Sequence, residues 1–202
     1  MIVEYFGIPG GGKTYHANLY KKQIEEAGQP FLDISRHKGS PLWLKLLYKL
    51  ADCAIYILPK YKKQIDLYND ICKNCEKDIS RLKSRIHNIV LFSLVYDVVS
   101  KIKRTIINDE GQIHWILSLY ANNKCPLEEV LKVYSQNKHH VILRCVKTTT
   151  DVAFKNIRKR NRQVCYVDRL NDSALRNYLS SFEDSCDMLI KHLKTEIIYN
   201  QS

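Results

Sequence analysis

Several features are missing from this chain, and each absence narrows what it can be. No apolar run approaches the roughly 20 residues that a membrane-spanning helix requires; the best, Ile89–Tyr96, is far shorter, so a transmembrane helix is excluded. Nothing at the N-terminus has the pattern of a secretory signal, because Met1–Phe6 already reads as a core strand. The seven cysteines are an odd number scattered through globular sequence, so reduced thiols in a cytoplasmic protein are expected. Cys72-Lys-Asn-Cys75 has no second pair at metal spacing, and His139-His140 stands alone before a strand. Core packing for the first and a surface position for the second are expected rather than a metal centre. Repeats and low-complexity tracts are absent. Acidic residues are comparatively few: 21 Asp and Glu against 32 Lys and Arg leave a formal charge of +11. That balance implies anionic partners without naming them. In the stretch 60–104 it reads as a solvated helix face, and a nucleic-acid groove is not expected.

Glycine is also scarce, yet four of the seven glycines fall between Gly7 and Gly12. They follow the apolar strand Met1–Phe6 and lead into Lys13-Thr14, which completes the pattern G-x-x-x-x-G-K-[ST]. Each residue type has a physical reason: glycines let backbone N–H groups turn inward around a β-phosphate, Lys13 adds a point charge, and the Thr14 hydroxyl is placed for Mg²⁺. The helical stretch Thr14–Ala27 aims its dipole at the same phosphates. A bare glycine cluster is usually only a turn, but strand, loop and helix in this order imply a nucleoside triphosphate site. A base-reading Asn-Lys-x-Asp motif is lacking, since Asn137-Lys-His-His140 has no aspartate, which disfavours a GTPase.

The 202 residues suit one α/β domain. Further strands are expected at Phe31–Ile34, Thr105–Asn108, Val141–Val146 and Glu196–Tyr199, alternating with helical sequence as in a parallel sheet covered on both faces. Ser40-Pro41 and Cys125-Pro126, the latter followed by Glu128 and Glu129, mark helix starts. The connection between the second and third strands, 37–104, is far longer than one crossover helix needs and reads as a helical insertion that binds an acceptor or a partner. Within it, Ile65, Tyr68, Cys72, Cys75, Ile79, Leu82, Ile86 and Ile89 recur at spacings of three and four, which predicts one long helix with a coiled-coil-like seam. That helix, within 60–104, offers a surface for a homodimer or another protein partner, or packs on the amphipathic stretch Leu42–Leu58. The run Leu42–Leu50, with Trp43, Tyr48, Lys45 and Lys49, also has the make-up of an interfacial helix for peripheral membrane contact.

The third strand ends in Asp109-Glu110-Gly111-Gln112. At the C-terminal end of a central parallel strand, Asp109 can hold Mg²⁺ through water and Glu110 can orient or deprotonate a nucleophile; two acids in one turn equally suit a helix start. After the fourth strand, a helix over Thr149–Asn161 ends in Arg158-Lys-Arg160-Asn-Arg162, with Arg169 beyond. Cations there can screen a migrating phosphoryl group, and the separation of four puts Arg158 and Arg162 on one helix face.

These elements together resemble the P-loop nucleoside and nucleotide kinases. The thymidylate-kinase-like branch, which includes kinase-like proteins of bacterial polysaccharide gene clusters, is the most similar. The resemblance rests on Gly7–Thr14, the acidic turn after the third strand, and the segment Asp151–Arg162, and covers roughly half the chain. It implies a three-layer α/β/α fold with a five-stranded parallel sheet in the order 2-3-1-4-5, and a lid at 155–172. ATP is expected on Gly7, Pro9, Gly10, Gly11, Gly12, Lys13, Thr14 and Tyr15, with Mg²⁺ at Thr14 and Asp109. Lys13, Asp109, Glu110, Arg158 and Arg162 are the candidate catalytic residues. On this mapping Asp33 and Arg36, at the end of the second strand, face a small-molecule acceptor, and Gln112 is counted with them. The chain departs from thymidylate kinases in carrying Asp109-Glu110 where an Asp-Arg pair is usual. The acceptor therefore stays open among nucleotides, nucleosides and sugars, lipid-linked ones included. The competing expectation is an ATPase or nucleotide switch that acts on a protein partner through the insertion.

Overall fold

The computed structural model describes residues 1–36, 40–75, 79–123, 125–137, 139–160 and 166–200. Five strands, β1 (Ile2–Gly7), β2 (Phe31–Asp33), β3 (Thr105–Asn108), β4 (Val141–Lys147) and β5 (Thr195–Tyr199), pair in parallel in the order β2-β3-β1-β4-β5, as expected. The central strand β1 is buried along its whole length, as a parallel strand covered on both faces must be. Its side chains alternate between two cores. Val3 and Tyr5 meet Ala17 and Ile24 of α1 (Lys13–Glu26) on one face, while Ile2 and Phe6 join the larger core on the other.

The larger core is built from α4 (Ile79–Val99), α5 (Gln112–Asn123) and α8 (Asp172–His192), with α2 (Leu42–Ile57) and α3 (Pro59–Cys72) layered onto α4. Two shorter helices, α6 (Leu127–Ser135) and α7 (Thr150–Lys159), flank β4 in sequence. Local chemistry sets their ends. Pro126 precedes α6, whose first turn carries Glu128 and Glu129 and whose last carries Lys132, each suited to the helix dipole. The side chains of Thr149 and Asn171 accept hydrogen bonds from Val152 N–H and Ala174 N–H, capping α7 and α8.

The single long helix expected from the seam is instead two. Tyr68 and Cys72 lie on α3, Leu82, Ile86 and Ile89 on α4, and all five are buried in one core because the two helices pack on each other. Helix α3 ends at Cys72 and α4 begins at Ile79, and packing one on the other buries both halves of an apolar seam that one straight helix would leave facing solvent. The thiol of Cys75 donates to the carbonyl of Ile71, and Cys72 is core, so the cysteine pair is packing. His139 is not a surface residue: its Nε2 lies 3.0 Å from Asp97 Oδ1 and its ring meets Tyr96 edge-on. Among the described residues no helix is long and apolar enough to cross a membrane, and no three His, Cys, Asp or Glu side chains cluster as metal ligands.

Candidate active site

The loop after β1 closes at Gly12, which adopts φ 90° as the N-cap of α1. Gly10, at φ 79°, sits where a Cβ would lie 2.6 Å from the carbonyl oxygen of Ala153 and 2.9 Å from Ile157 Cγ1, so the loop is pressed against α7 and only glycine fits. Two amides hold the loop from outside: Asn156 Nδ2 donates to Gly10 O at 3.0 Å, and Asn200 Nδ2 to Gly11 O at 3.1 Å. Lys13 is buried, and its ammonium donates to the carbonyls of Gly7 and Ile8, both at 3.3 Å. Thr14 Oγ1 donates to Asp109 Oδ2 at 2.7 Å, which joins the loop to the end of β3. Asp109 is itself buried, with its N–H donating to Ser35 Oγ. Glu110 is different: its side chain is 55 % exposed and its Oε1 lies 3.7 Å from Lys13 Nζ.

Beneath this acidic turn lies a network that the sequence did not announce. Glu4, in the middle of β1, is fully buried and points at the start of α5, where its Oε1 accepts from Ile113 N–H at 2.5 Å and His114 N–H at 3.3 Å. Its Oε2 accepts from the Tyr96 hydroxyl at 2.7 Å, and that hydroxyl accepts from Asn108 Nδ2 at 3.1 Å. Burial pushes the Glu4 carboxyl up to about 7, against the pull of the Tyr96 hydroxyl and the backbone N–H groups. A carboxyl at a helix N-terminus thus fixes the turn that presents Asp109 and Glu110. Gly111 completes it: a Cβ there would meet the Tyr96 oxygen at 2.1 Å and the Glu4 carboxyl carbon at 2.6 Å.

A cavity of about 770 Å³ opens from the loop. Its lining includes Pro9, Gly10, Gly12, Lys13, Thr14, Tyr15, Asp109 and Glu110 from the loop and the acidic turn, together with Phe92 of α4, Trp115 of α5, and Tyr178 and Phe182 of α8. Arg36, His114 and Ser118 add further polar groups. Arg36 Nη1 donates to Asn88 Oδ1 at 2.9 Å and its guanidinium lies 5.0 Å from the centre of the Tyr48 ring; Ser118 Oγ accepts from Arg85 Nε at 3.2 Å. Burial lowers His114 to about 4, so its ring is neutral at pH 7.

Of the residues expected to face the acceptor, Arg36 lines this cavity, whereas Asp33 and Gln112 do not. Asp33 is turned to α1, paired with Lys21 Nζ at 2.7 Å and accepting from Ser35 N–H at 2.9 Å. Burial works to raise its carboxyl, and the Lys21 and Ser35 hydrogen bonds outweigh it and hold the group below its ordinary range. Gln112 is buried as the first residue of α5. Arg158 is off the cavity too. Its guanidinium bonds Asp172 Oδ1 (Nη2 at 2.7 Å) and the Leu170 carbonyl at 2.7 Å, tying α7 to the start of α8. Helix α7 ends at Lys159, and Arg162, which the spacing of four grouped with Arg158, lies outside the described residues. Arg160, at the C-cap of α7, does line the cavity, as do Tyr166 and Val167 of the 3-10 turn Tyr166–Arg169.

Several of these residues had a faint trace in the sequence. His114 and Ser118 are polar positions four apart in an otherwise apolar helix, and Tyr178 and Phe182 are aromatics four apart, a spacing that reads as core. Glu4 stood out only as an acid inside an apolar strand.

No family model and no curated protein sequence matches the chain. Solved structures do match. A deoxyadenosine kinase from M. mycoides with bound dATP aligns at TM-score 0.51 and 13 % identity, covering 99 % of this chain and 90 % of that one. The same enzyme with the products dCMP and dCDP aligns at TM-score 0.52 and 14 % identity, over 100 % and 90 %. A shikimate kinase from Acinetobacter baumannii in complex with shikimate reaches TM-score 0.49 and 14 % identity, over 100 % and 84 %. With its sheet order, its phosphate loop after the central strand and the match to the M. mycoides kinase structures, this chain has the fold of the P-loop kinases.

Proposed function

We propose that the chain is a Mg²⁺-dependent small-molecule kinase that passes the γ-phosphoryl group of ATP to an acceptor held by the aromatic side chains of the cavity. The observation that carries this reading is that one cavity is lined both by the phosphate loop and by Phe92, Trp115, Tyr178 and Phe182. Hydrolysis needs room for a water molecule; aromatic walls suit a second organic substrate. Flat faces and a guanidinium at Arg36 favour a nucleoside or nucleotide, the substrate class named for the M. mycoides neighbour, over a sugar.

In this mechanism the N–H groups of the loop hold the phosphates, and the Lys13 ammonium moves from its own loop carbonyls onto the β/γ-phosphate oxygens. The Thr14 hydroxyl and the Asp109 carboxylate, both hard oxygen donors 2.7 Å apart, fit Mg²⁺, which is usually held by one or two protein oxygens with phosphate and water. The bound ion would neutralise charge that develops on the transferred group. Glu110, exposed at the cavity and not fixed in the core, is suited to orient the acceptor hydroxyl and take its proton. Arg160 supplies a cation to the migrating phosphoryl oxygens, and Arg158 holds the segment that carries it.

The test is incubation of the protein with Mg²⁺ and γ-labelled ATP in the presence of pooled nucleosides, nucleotides, sugars or polyprenyl-linked sugars. Label in one pool is expected, the nucleosides or nucleotides first. Label released only as free phosphate, whatever the pool, would replace the kinase by an ATPase or switch.

A further inference from the structure

Helix α2 is apolar nearly all round: over Leu42–Ile57 only Lys45, Lys49 and Asp52 are polar. Such a helix is normally enclosed, but α2 lies at the surface. Its inner face, Leu44, Tyr48, Ala51 and Ile55, is buried against the core. Its outer face is open, with Leu42 at 82 %, Ile57 at 75 %, Leu50 at 61 % and Leu46 at 53 % exposure, and Trp43 beside them at 46 %. This face runs on into a groove where Leu47, Leu50 and Leu58 meet Leu94 and Val98 of α4. Single exposed leucines are ordinary; a contiguous set on one helix marks a surface that something covers.

The charges around it select the occupant. Residues 42–63 and 97–104 hold eight cations, Lys45, Lys49, Lys60, Lys62, Lys63, Lys101, Lys103 and Arg104, and two acids. Both acids are already engaged: Asp52 Oδ1 lies 3.0 Å from His87 Nε2, and Asp97 is bonded by Lys60 and Tyr61, with His139 Nε2 3.0 Å from its Oδ1. Lys45 and Lys49 follow the open face at a spacing of four and are exposed. A second copy docked by the same face would bring two such rims together and be repelled. An anionic surface would be attracted, and an apolar face flanked by lysines, with a tryptophan at its edge, matches the layered polarity of a bilayer interface.

We infer that the outer face of α2, Leu42, Trp43, Leu46, Leu50 and Ile57, docks the protein on an anionic lipid bilayer, with Lys45, Lys49 and the 101–104 turn at the headgroups. The inference is independent of the phosphoryl-transfer reading, since the Lys13 site is elsewhere and transfer in solution does not require it.

The test is flotation with vesicles of phosphatidylcholine alone or mixed with phosphatidylglycerol, at low and high salt. Wild-type protein is expected to float with the mixed vesicles at low salt only. Lys45→Gln with Lys49→Gln should weaken binding about 25-fold, roughly fivefold for each lysine, and Leu46→Ser with Leu50→Ser should abolish it. Because a variant can fail to fold, a second readout uses the wild type: Trp43 emission should shift to the blue and be quenched by brominated acyl chains, with Trp43→Phe reporting the residual signal of Trp115. No flotation at low salt, flotation with Trp43 unquenched, or flotation unchanged in the leucine variant would each overturn the inference. So would a Leu46- and Leu50-dependent dimer in sedimentation that leaves vesicles unbound.

Discussion

Replacing Glu4 by Gln should change how the stability of this protein depends on pH, by an amount the structure sets. The carboxyl titrates near 7 in the fold and near its ordinary 4.5 in the unfolded chain. Between those values the folded state keeps a proton that the unfolded state has released. Glu4's contribution to stability is therefore present in full below pH 4.5 and is lost as pH rises through about 7. At about 1.4 kcal/mol per pH unit, the loss is about 3 kcal/mol. His114 works the other way. Its pKa is held down to about 4 from 6.5, so its contribution is present above pH 6.5 and is lost as pH falls through about 4, again about 3 kcal/mol. The two offset each other across the shared window, which masks both in the wild-type profile. The assay is urea unfolding followed by circular dichroism at several pH values for wild type, Glu4→Gln and His114→Gln. Relative to wild type, Glu4→Gln should gain about 3 kcal/mol between pH 4.5 and 7, and His114→Gln should lose about 3 kcal/mol between pH 4 and 6.5. Wild-type and Glu4→Gln curves that stay parallel over that range would refute the claim that a buried, protonated Glu4 caps α5.

The remaining predictions concern the site itself. Gly111→Ala should cost about 3 kcal/mol of unfolding free energy, since its Cβ lands inside the Glu4–Tyr96 contact; an unchanged urea midpoint would show that the turn has room. Arg160→Ala should lower kcat of phosphoryl transfer by on the order of 100-fold with the melting temperature unchanged, whereas Arg158→Ala should lower the melting temperature; the reverse pattern would exchange their roles. Asp109→Asn should raise the Mg²⁺ concentration needed for half-maximal turnover by on the order of tenfold, and an unchanged Mg²⁺ titration would remove Asp109 from the metal site.

The features legible in the sequence were local ones. The phosphate loop is a contiguous motif, and β1, β3 and β4 are short apolar runs whose register follows once they are parallel. Gly12 and Thr149 act where their residue types say they should. Tertiary placement was not legible. The seam from Ile65 to Ile89 repeats as well across two antiparallel helices as along one, so spacing could not show the break after Cys72. Asp33 ends a strand, but Lys21 on α1 captures it, and neither residue names the other. Arg158 and Arg160 lie in one basic run, and only the end of α7 at Lys159 decides which of them lines the cavity. Glu4 acts through residues over 90 positions away, Tyr96, Ile113 and His114, and no pattern along the chain records that contact.

The central claim is that Lys13 drives transfer of the ATP γ-phosphoryl group to an acceptor in the cavity. It is tested most directly by single-turnover transfer of labelled phosphate to the identified acceptor, wild type beside Lys13→Ala, with the fold of both checked by circular dichroism. The account predicts a folded variant whose transfer is slower by on the order of 100-fold or more; a folded Lys13→Ala that labels the acceptor as fast as wild type would contradict it.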